Sequence, residues 1–206
     1  MKKNKSNEGN GKKYLNGANA FAFMLVMIVI FTAHDLIRDI MIDSSAYEVR
    51  FENDETYATQ GRIYRLYVEG QEYGDIDYNR FSITDENGNT DYKYCQLIED
   101  ASRLTYTLIL SAMLYIVVII ARNSIGSTPF TTENSRLIRV IAGLQLSLCF
   151  LPGMVRLIMS FIRFDYYSSS FDIGSLYMFA IAFVISMIAY VFEKGRALQE
   201  DVDSIA

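Results

Sequence analysis

Four apolar stretches divide this chain of 206 residues, at 18–33, 104–121, 140–162 and 173–192. Three of them are long enough to cross a bilayer with few interruptions. A helix rises about 1.5 Å per residue, so a hydrocarbon core about 30 Å thick needs about 20 residues. The pattern predicts a membrane all-α fold: a four-helix transmembrane bundle with spans at 18–42, 101–122, 137–163 and 173–193. Residues 43–100 form a polar insert between helices 1 and 2. The insert dilutes the membrane signal, so mean hydropathy is only +0.13 although 51% of the residues are hydrophobic.

Lysines and arginines near span ends in short loops mark the cytoplasmic side. The tail 1–17 carries Lys2, Lys3, Lys5, Lys12 and Lys13. The loop 123–136 is bounded by Arg122, Arg136 and Arg139, and the tail 194–206 carries Lys194 and Arg196. A four-span plan puts all three segments on one side. The expected location is therefore the bacterial cytoplasmic membrane, multi-pass, with both termini cytoplasmic and residues 43–100 outside, together with the short loop 164–172. A cleaved signal peptide is the rival reading of the first span. No A-x-A-like site follows Ala33, and His34-Asp35-Leu36-Ile37-Arg38-Asp39 reads as a helix emerging from the membrane.

The insert holds fourteen acids against five bases, which argues against nucleic-acid binding because like charge repels phosphate. Its β-forming runs at 47–51, 62–69, 80–84 and 90–97, the last two flanking Asn87-Gly88, predict a small antiparallel β unit. So small a sheet needs a surface to pack on. Its eight tyrosines either fill strand faces near the headgroups or form a ligand surface. Cys95 and Cys149 lack metal-ligand spacing and fall in different regions. No disulfide, metal or cofactor is expected.

In the inner loop, Gly126 and Pro129 break the chain, Thr131 or Thr132 can cap the next helix, Glu133 favours its dipole, and Phe130 is the apolar residue before the cap. In the tail, Leu198, Val202 and Ile205 fall at helical spacing, while Gly195 is a candidate helix stop. The segment Thr128-Pro-Phe-Thr-Thr-Glu-Asn-Ser-Arg-Leu-Ile-Arg139 resembles the "[ST]-P-F-x-x-E-N-x-x-x-[IL]-[KR]" stretch of a bacterial membrane family, domain of unknown function 2975. The segment from Phe192 to Ile205 resembles that family's ending through Phe192, Gly195, Leu198, Gln199, Asp203 and Ile205. Its acidic position falls at Glu200 and Asp201, out of strict register. The resemblance covers about two-thirds of the chain and leaves the insert unsupported. It implies a four-helix inner-membrane protein with no assigned activity, often encoded beside a helix-turn-helix regulator. Pro129, Phe130, Glu133, Asn134, Arg136, Arg139, Phe192, Gly195, Leu198 and Gln199 are the candidate partner-binding face.

Ionisable groups inside spans are functional candidates because they are costly there. Counted at about 1.5 Å per residue from the inner boundary, Asp35, Arg103, Arg156 and Tyr177 rise about 24–28 Å. With His34 and Arg38 they form a belt near the outer interface. One reading is a pocket lined by Asp35, Arg103, Arg156 and Tyr177 for a peptide or a small anionic ligand. The plainer one is snorkelling arginines, with Asp35 neutralising one of them. Along helix 3, Gln145, Cys149, Pro152, Arg156 and Arg163 form a polar stripe, and Tyr115 lies at the depth of Gln145.

No H-E-x-x-H, G-x-S-x-G or P-loop is present, and the inner halves of the spans carry no carboxylate relay. The expected function is a non-enzymatic envelope sensor or regulatory interaction protein, its partners being the lipid bilayer and a cytoplasmic DNA-binding regulator. The alternatives are a self-immunity or small-molecule export component, and a structural subunit of a larger membrane complex.

Overall fold

The computed structural model describes residues 3–52, 63–76, 91–125, 129–164 and 173–205. Four long helices dominate: α1 (Lys3–Met41), α2 (Tyr92–Asn123), α3 (Thr132–Phe164) and α4 (Ile173–Ile205). All four contain stretches long and apolar enough to cross a membrane. Their apolar side chains mostly point away from the protein. Phe23 and Phe183 are each 67% exposed, Ile162 is 72% exposed and Met41 80%. Contiguous apolar surface on that scale is foreign to a water-soluble monomer.

Residues 47–76 contribute a three-stranded antiparallel sheet of order β1-β2-β3, from β1 (Tyr47–Glu52), β2 (Ile63–Val68) and β3 (Gln71–Ile76). The expected strands at 47–51 and 62–69 are β1 and β2. β3 was not expected. It follows a two-residue turn in which Glu69 (φ 53) and Gly70 (φ 78) both adopt positive φ, the geometry that suits a tight hairpin. The Asn87-Gly88 turn and the strand at 80–84 lie outside the described residues. The strand expected at 90–97 is corrected: from Tyr92 onward this segment is the first turns of α2. The Asp91 Oδ1 accepts from the Tyr94 amide at 2.9 Å, an N-cap that turns a β-rich composition into helix.

The described chain falls into two compact units, and the boundary between them lies inside α1, α2 and α3. One unit comprises 1–31, 105–151 and 171–206. Its core is Ile109, Met113, Ile141 and Leu148, with Ile116, Ile120, Leu144 and Ile185 packed against them. The other comprises 32–104 and 152–170. There the sheet packs through Tyr47, Leu66 and Val68 onto Ile42, Val49, Tyr73 and Tyr92. The turn Ser44–Ala46 that leads into β1 is capped by Asp43, whose carboxylate accepts from the Ser45 amide at 2.9 Å and hydroxyl at 2.7 Å.

α4 runs through Gly195 instead of stopping there. The glycine serves packing: a Cβ at this position would lie 2.8 Å from the Phe130 ring. A Cβ at Gly143 meets nothing within 4 Å. Gly143→Ala is therefore expected to be neutral or stabilising by up to about 1 kcal/mol through helix propensity. Gly195→Ala is expected to destabilise by about 1 kcal/mol, since an overpacking cost of about 1–3 kcal/mol exceeds that gain. Thermal unfolding of the two variants in one detergent decides it; equal or higher stability in Gly195→Ala would show a yielding contact.

The two hydrogen bonds from Ser45 hold the Asp43 carboxyl below its ordinary range. A depressed folded-state value means that the cap contributes at any pH above the free aspartate range and is lost as pH falls through the lower native value. Amide exchange at Ser45 is expected to accelerate on strong acidification in the wild type and to be fast at every pH in Asp43→Ala. A flat wild-type profile would contradict the cap.

Candidate functional site

The most demanding residue in the sheet-bearing unit is Asp39, on the last turn of α1 and fully buried. A buried carboxylate is tolerated only with a close partner. The neighbouring Arg38 provides it, donating from Nε and Nη2 to the Asp39 Oδ1 at 3.0 and 2.9 Å. The same Nη2 donates to the Tyr73 hydroxyl of β3 at 3.0 Å, and the guanidinium lies 5.2 Å from that ring's centroid. Tyr47 of β1 donates to the Asp39 carbonyl at 3.5 Å. Burial pushes both phenols above the ordinary tyrosine range, so both stay neutral, Tyr47 as a donor and Tyr73 as the acceptor from Arg38. One ion pair thus connects α1 to both outer strands of the sheet.

α2 brings a second buried acid to the same place. Asp100 is 1% exposed, receives Gln96 Nε2 at 3.2 Å and lies 3.7 Å from Arg103 Nη1. Lys93 closes the end of α1 by donating to the carbonyls of Ile40 and Ile42.

In this unit α2 and α3 run antiparallel along a ladder of polar contacts. Arg163 donates from Nε and Nη2 to the Asp91 Oδ2 at 3.2 and 3.0 Å. Tyr94 donates to the Met159 carbonyl at 3.2 Å and meets Phe164 edge to face. Arg156 donates to Glu99 at 2.8 Å, and Ser102 to the Pro152 carbonyl at 3.1 Å. As α2 advances its partners on α3 recede, which is the register of two antiparallel helices.

Several expected site residues therefore have different neighbours from those anticipated. Asp35 lies 3.8 Å from His34 Nδ1, with both side chains substantially exposed, and is not the counter-charge of an arginine. Arg38, Arg103, Arg156 and Arg163 instead meet Asp39, Asp100, Glu99 and Asp91. An anion arriving at these arginines would have to displace a carboxylate already in place. Tyr177 is 69% exposed and belongs to the other unit. A shallow open depression is lined by Ser44, Asp91, Lys93, Tyr94, Leu97 and Arg163, and both of its cations are engaged by this chain's own oxygens. Among the described residues no group of three His, Cys, Asp or Glu is placed to hold a metal ion.

In the other unit, Gln145 is buried and its Nε2 lies 3.1 Å from the Met178 Sδ. Tyr115, expected beside Gln145, is exposed on α2. The Cys149 thiol donates to the Gln145 carbonyl at 3.3 Å. The expected partner face is partly consumed by the fold. Asn134 is fully buried, receives Asn123 Nδ2 at 3.2 Å, and donates to Ser124 Oγ and the Pro129 carbonyl at 3.3 and 2.9 Å. Its amide meets Thr131 Oγ1 at 3.1 Å, which makes Thr131 the N-cap of α3. Phe130 packs on Phe192 at 5.1 Å between centroids, and Ser135 donates to the Ala189 carbonyl at 3.3 Å. Arg139 pairs with Glu193 at 3.3 Å. Glu133, Arg136 and Leu198 remain exposed.

Comparison with protein-family models, curated proteins and solved structures finds no match. The resemblance to the domain of unknown function 2975 family rests on the two motifs and the four-span plan. In the two motifs Pro129, Phe130, Asn134, Phe192 and Gly195 form one cluster of contacts, with Asn134 buried and Pro129 exposed. The motif thus has a structural use in joining the α2–α3 loop to α4.

Sequence reasoning missed Asp39, Asp91, Glu99 and Asp100 because it assigned the last three to the insert. The available signal was helical: Gln96, Asp100 and Arg103 are spaced i, i+4 and i+7, a single helix face.

Arg38→Ala is expected to cost about 3–5 kcal/mol, since it strands a buried carboxylate. Arg156→Ala, which breaks a more exposed pair, is expected to cost at most about 1 kcal/mol. Accessibility of the buried Cys95 thiol during thermal unfolding reads both. Equal losses would place the weight of this unit elsewhere.

Proposed function

We propose that this chain is a non-enzymatic sensor of the bacterial cytoplasmic membrane. Its sheet faces outward, both termini are cytoplasmic, and it passes a condition of the envelope to a cytoplasmic partner. The span pattern, the exposed apolar helix faces and the basic tails and inner loop support the membrane placement. The observation that carries the sensory reading is the Arg38 junction, where one guanidinium holds a buried acid of α1 and a tyrosine of β3 together. A change in the sheet is thereby felt at the end of α1, and α1 continues as one helix to the basic N-terminal tail.

The cytoplasmic partner of this reading is a DNA-binding regulator, as the family likeness suggests. Exposed Glu133, Arg136 and Leu198 are the side chains that would meet it, because the buried motif residues are occupied internally. Every arginine of the α1–α3 polar cluster already has a carboxylate, which favours a signal that alters the cluster over a free anion that binds it.

Tyr73→Phe removes the hydroxyl that Arg38 holds, at a stability cost of about 0.5–1.5 kcal/mol. In cells this variant is expected to alter transcription of genes neighbouring its own, in the direction of the deletion strain, at unchanged protein level. Wild-type transcription in both the variant and the deletion strain would reject the regulatory reading.

A further inference from the structure

Lys93 differs from the arginines of the sheet-bearing unit. Each arginine that the structure describes there lies 3.7 Å or less from a carboxylate. The Lys93 ammonium instead donates to two neutral groups, the Ile40 carbonyl at 3.0 Å and the Ile42 carbonyl, and makes no ion pair among the described residues. Asp43 interacts with it only weakly, its own carboxylate being held by the Ser45 amide and hydroxyl. The carbonyl end of a helix carries about half a negative charge. It offsets part of the ammonium and leaves the rest uncompensated.

This ammonium lines the open depression, of about 330 Å³, together with Ser44, Asp91, Tyr94, Leu97 and Arg163. Donors remain there. An ammonium has three N–H groups, of which the carbonyls take two. Arg163 gives Nε and Nη2 to the Asp91 Oδ2, which leaves its Nη1 without a partner among the described residues. The Ser44 side chain is exposed. An anion seated on Lys93 and the Arg163 Nη1 therefore displaces no carboxylate.

The surroundings choose the kind of anion. Ile40 and Met41 at the end of α1, and Phe161 and Ile162 at the end of α3, are 56%, 80%, 58% and 72% exposed. They flank the lining residues and their carbonyl partners along the chain. A dissolved phosphate or a peptide carboxylate would use the cation and leave these side chains bare. An anion that carries acyl chains uses both.

We propose that the depression seats the phosphate of a membrane phospholipid. Lys93 is its principal cation, the Arg163 Nη1 and the Ser44 hydroxyl are further donors, and the acyl chains lie along Met41 and Ile162. The inference rests on the membrane placement proposed above, but not on the sensory role or on the side to which the sheet faces. The bound lipid holds the end of α1, the start of α2 and the end of α3 at one level of the bilayer.

Native mass spectrometry of the full chain released from detergent micelles tests this. Phosphatidylglycerol is expected to stay bound, whereas diacylglycerol with the same acyl chains and no phosphate is lost. Lys93→Gln keeps a donor for the α1 carbonyls and removes the charge, and is expected to weaken phosphatidylglycerol retention about tenfold. Lys93→Arg is expected to retain it. Ser44→Asp, on an exposed turn, adds a negative charge at the rim and is expected to weaken retention without touching the α1 carbonyls. Arg139→Gln, in the other unit, is expected to leave it unchanged. Equal retention of the two lipids, wild-type retention in both Lys93→Gln and Ser44→Asp, or full displacement by inorganic phosphate would overturn the lipid site. Resistance to alkaline carbonate extraction reads the membrane placement separately. A resistant chain that fails the lipid test loses the lipid site alone, and an extractable chain loses the placement as well.

Discussion

Everything around the sheet depends on keeping one carboxylate out of water. Asp39 sits at zero exposure on the last turn of α1, where an unpaired charge would be prohibitive. Arg38 solves this, and the solution has geometric consequences. A guanidinium has a rigid fork of five donors, so once two of its N–H groups point at Asp39 its other donors and its flat face have fixed directions. Tyr73 uses both, through its hydroxyl and its ring. The placement of β3 relative to α1 is therefore set by an ion pair in which the sheet itself has no charge.

The sheet is too small to hold itself together, and its apolar face is correspondingly borrowed. Tyr47, Leu66 and Val68 are buried only because Ile42 and Tyr92, at the margins of two helices, complete the cluster. The helix ends meanwhile need the segments around them. Lys93 closes the last carbonyls of α1 from α2, and Asp91 both opens α2 and receives Arg163 from α3. Caps that are shared between helices leave no end independent of its neighbours.

The four long apolar helices were legible because each contains an apolar run close to the length a bilayer crossing needs. β1 and β2 were legible from their β-branched and aromatic composition. β3 was not, since 71–76 (QEYGDI) carries little β signal and its turn opens on a glutamate at positive φ. The start of α2 was misread for a related reason: 92–97 (YKYCQL) is rich in aromatic residues, and the Asp91 cap that decides the matter acts through a single side chain. In the polar cluster the arginines were legible and their partners were not. Depth along a helix can be counted from sequence, but direction depends on which face meets a neighbour. That is why Asp35, rather than Asp39 four residues on, was expected to hold an arginine.

The segments around Phe130 and Gly195 illustrate the opposite error. Residue types that recur at fixed spacing near a membrane face invite a reading as a docking surface. Here several of their members satisfy the fold: buried Asn134 donates to Ser124 and to the Pro129 carbonyl, and Gly195 makes room for Phe130. A partner cannot use a side chain that is fully buried. It can use what the cluster positions, namely Glu133 and Arg136 on the first turns of α3 and Leu198 on α4. Under the proposed regulatory reading the motif residues act on recognition by setting the directions of the exposed ones, and selection for a partner is then recorded in positions the partner never touches.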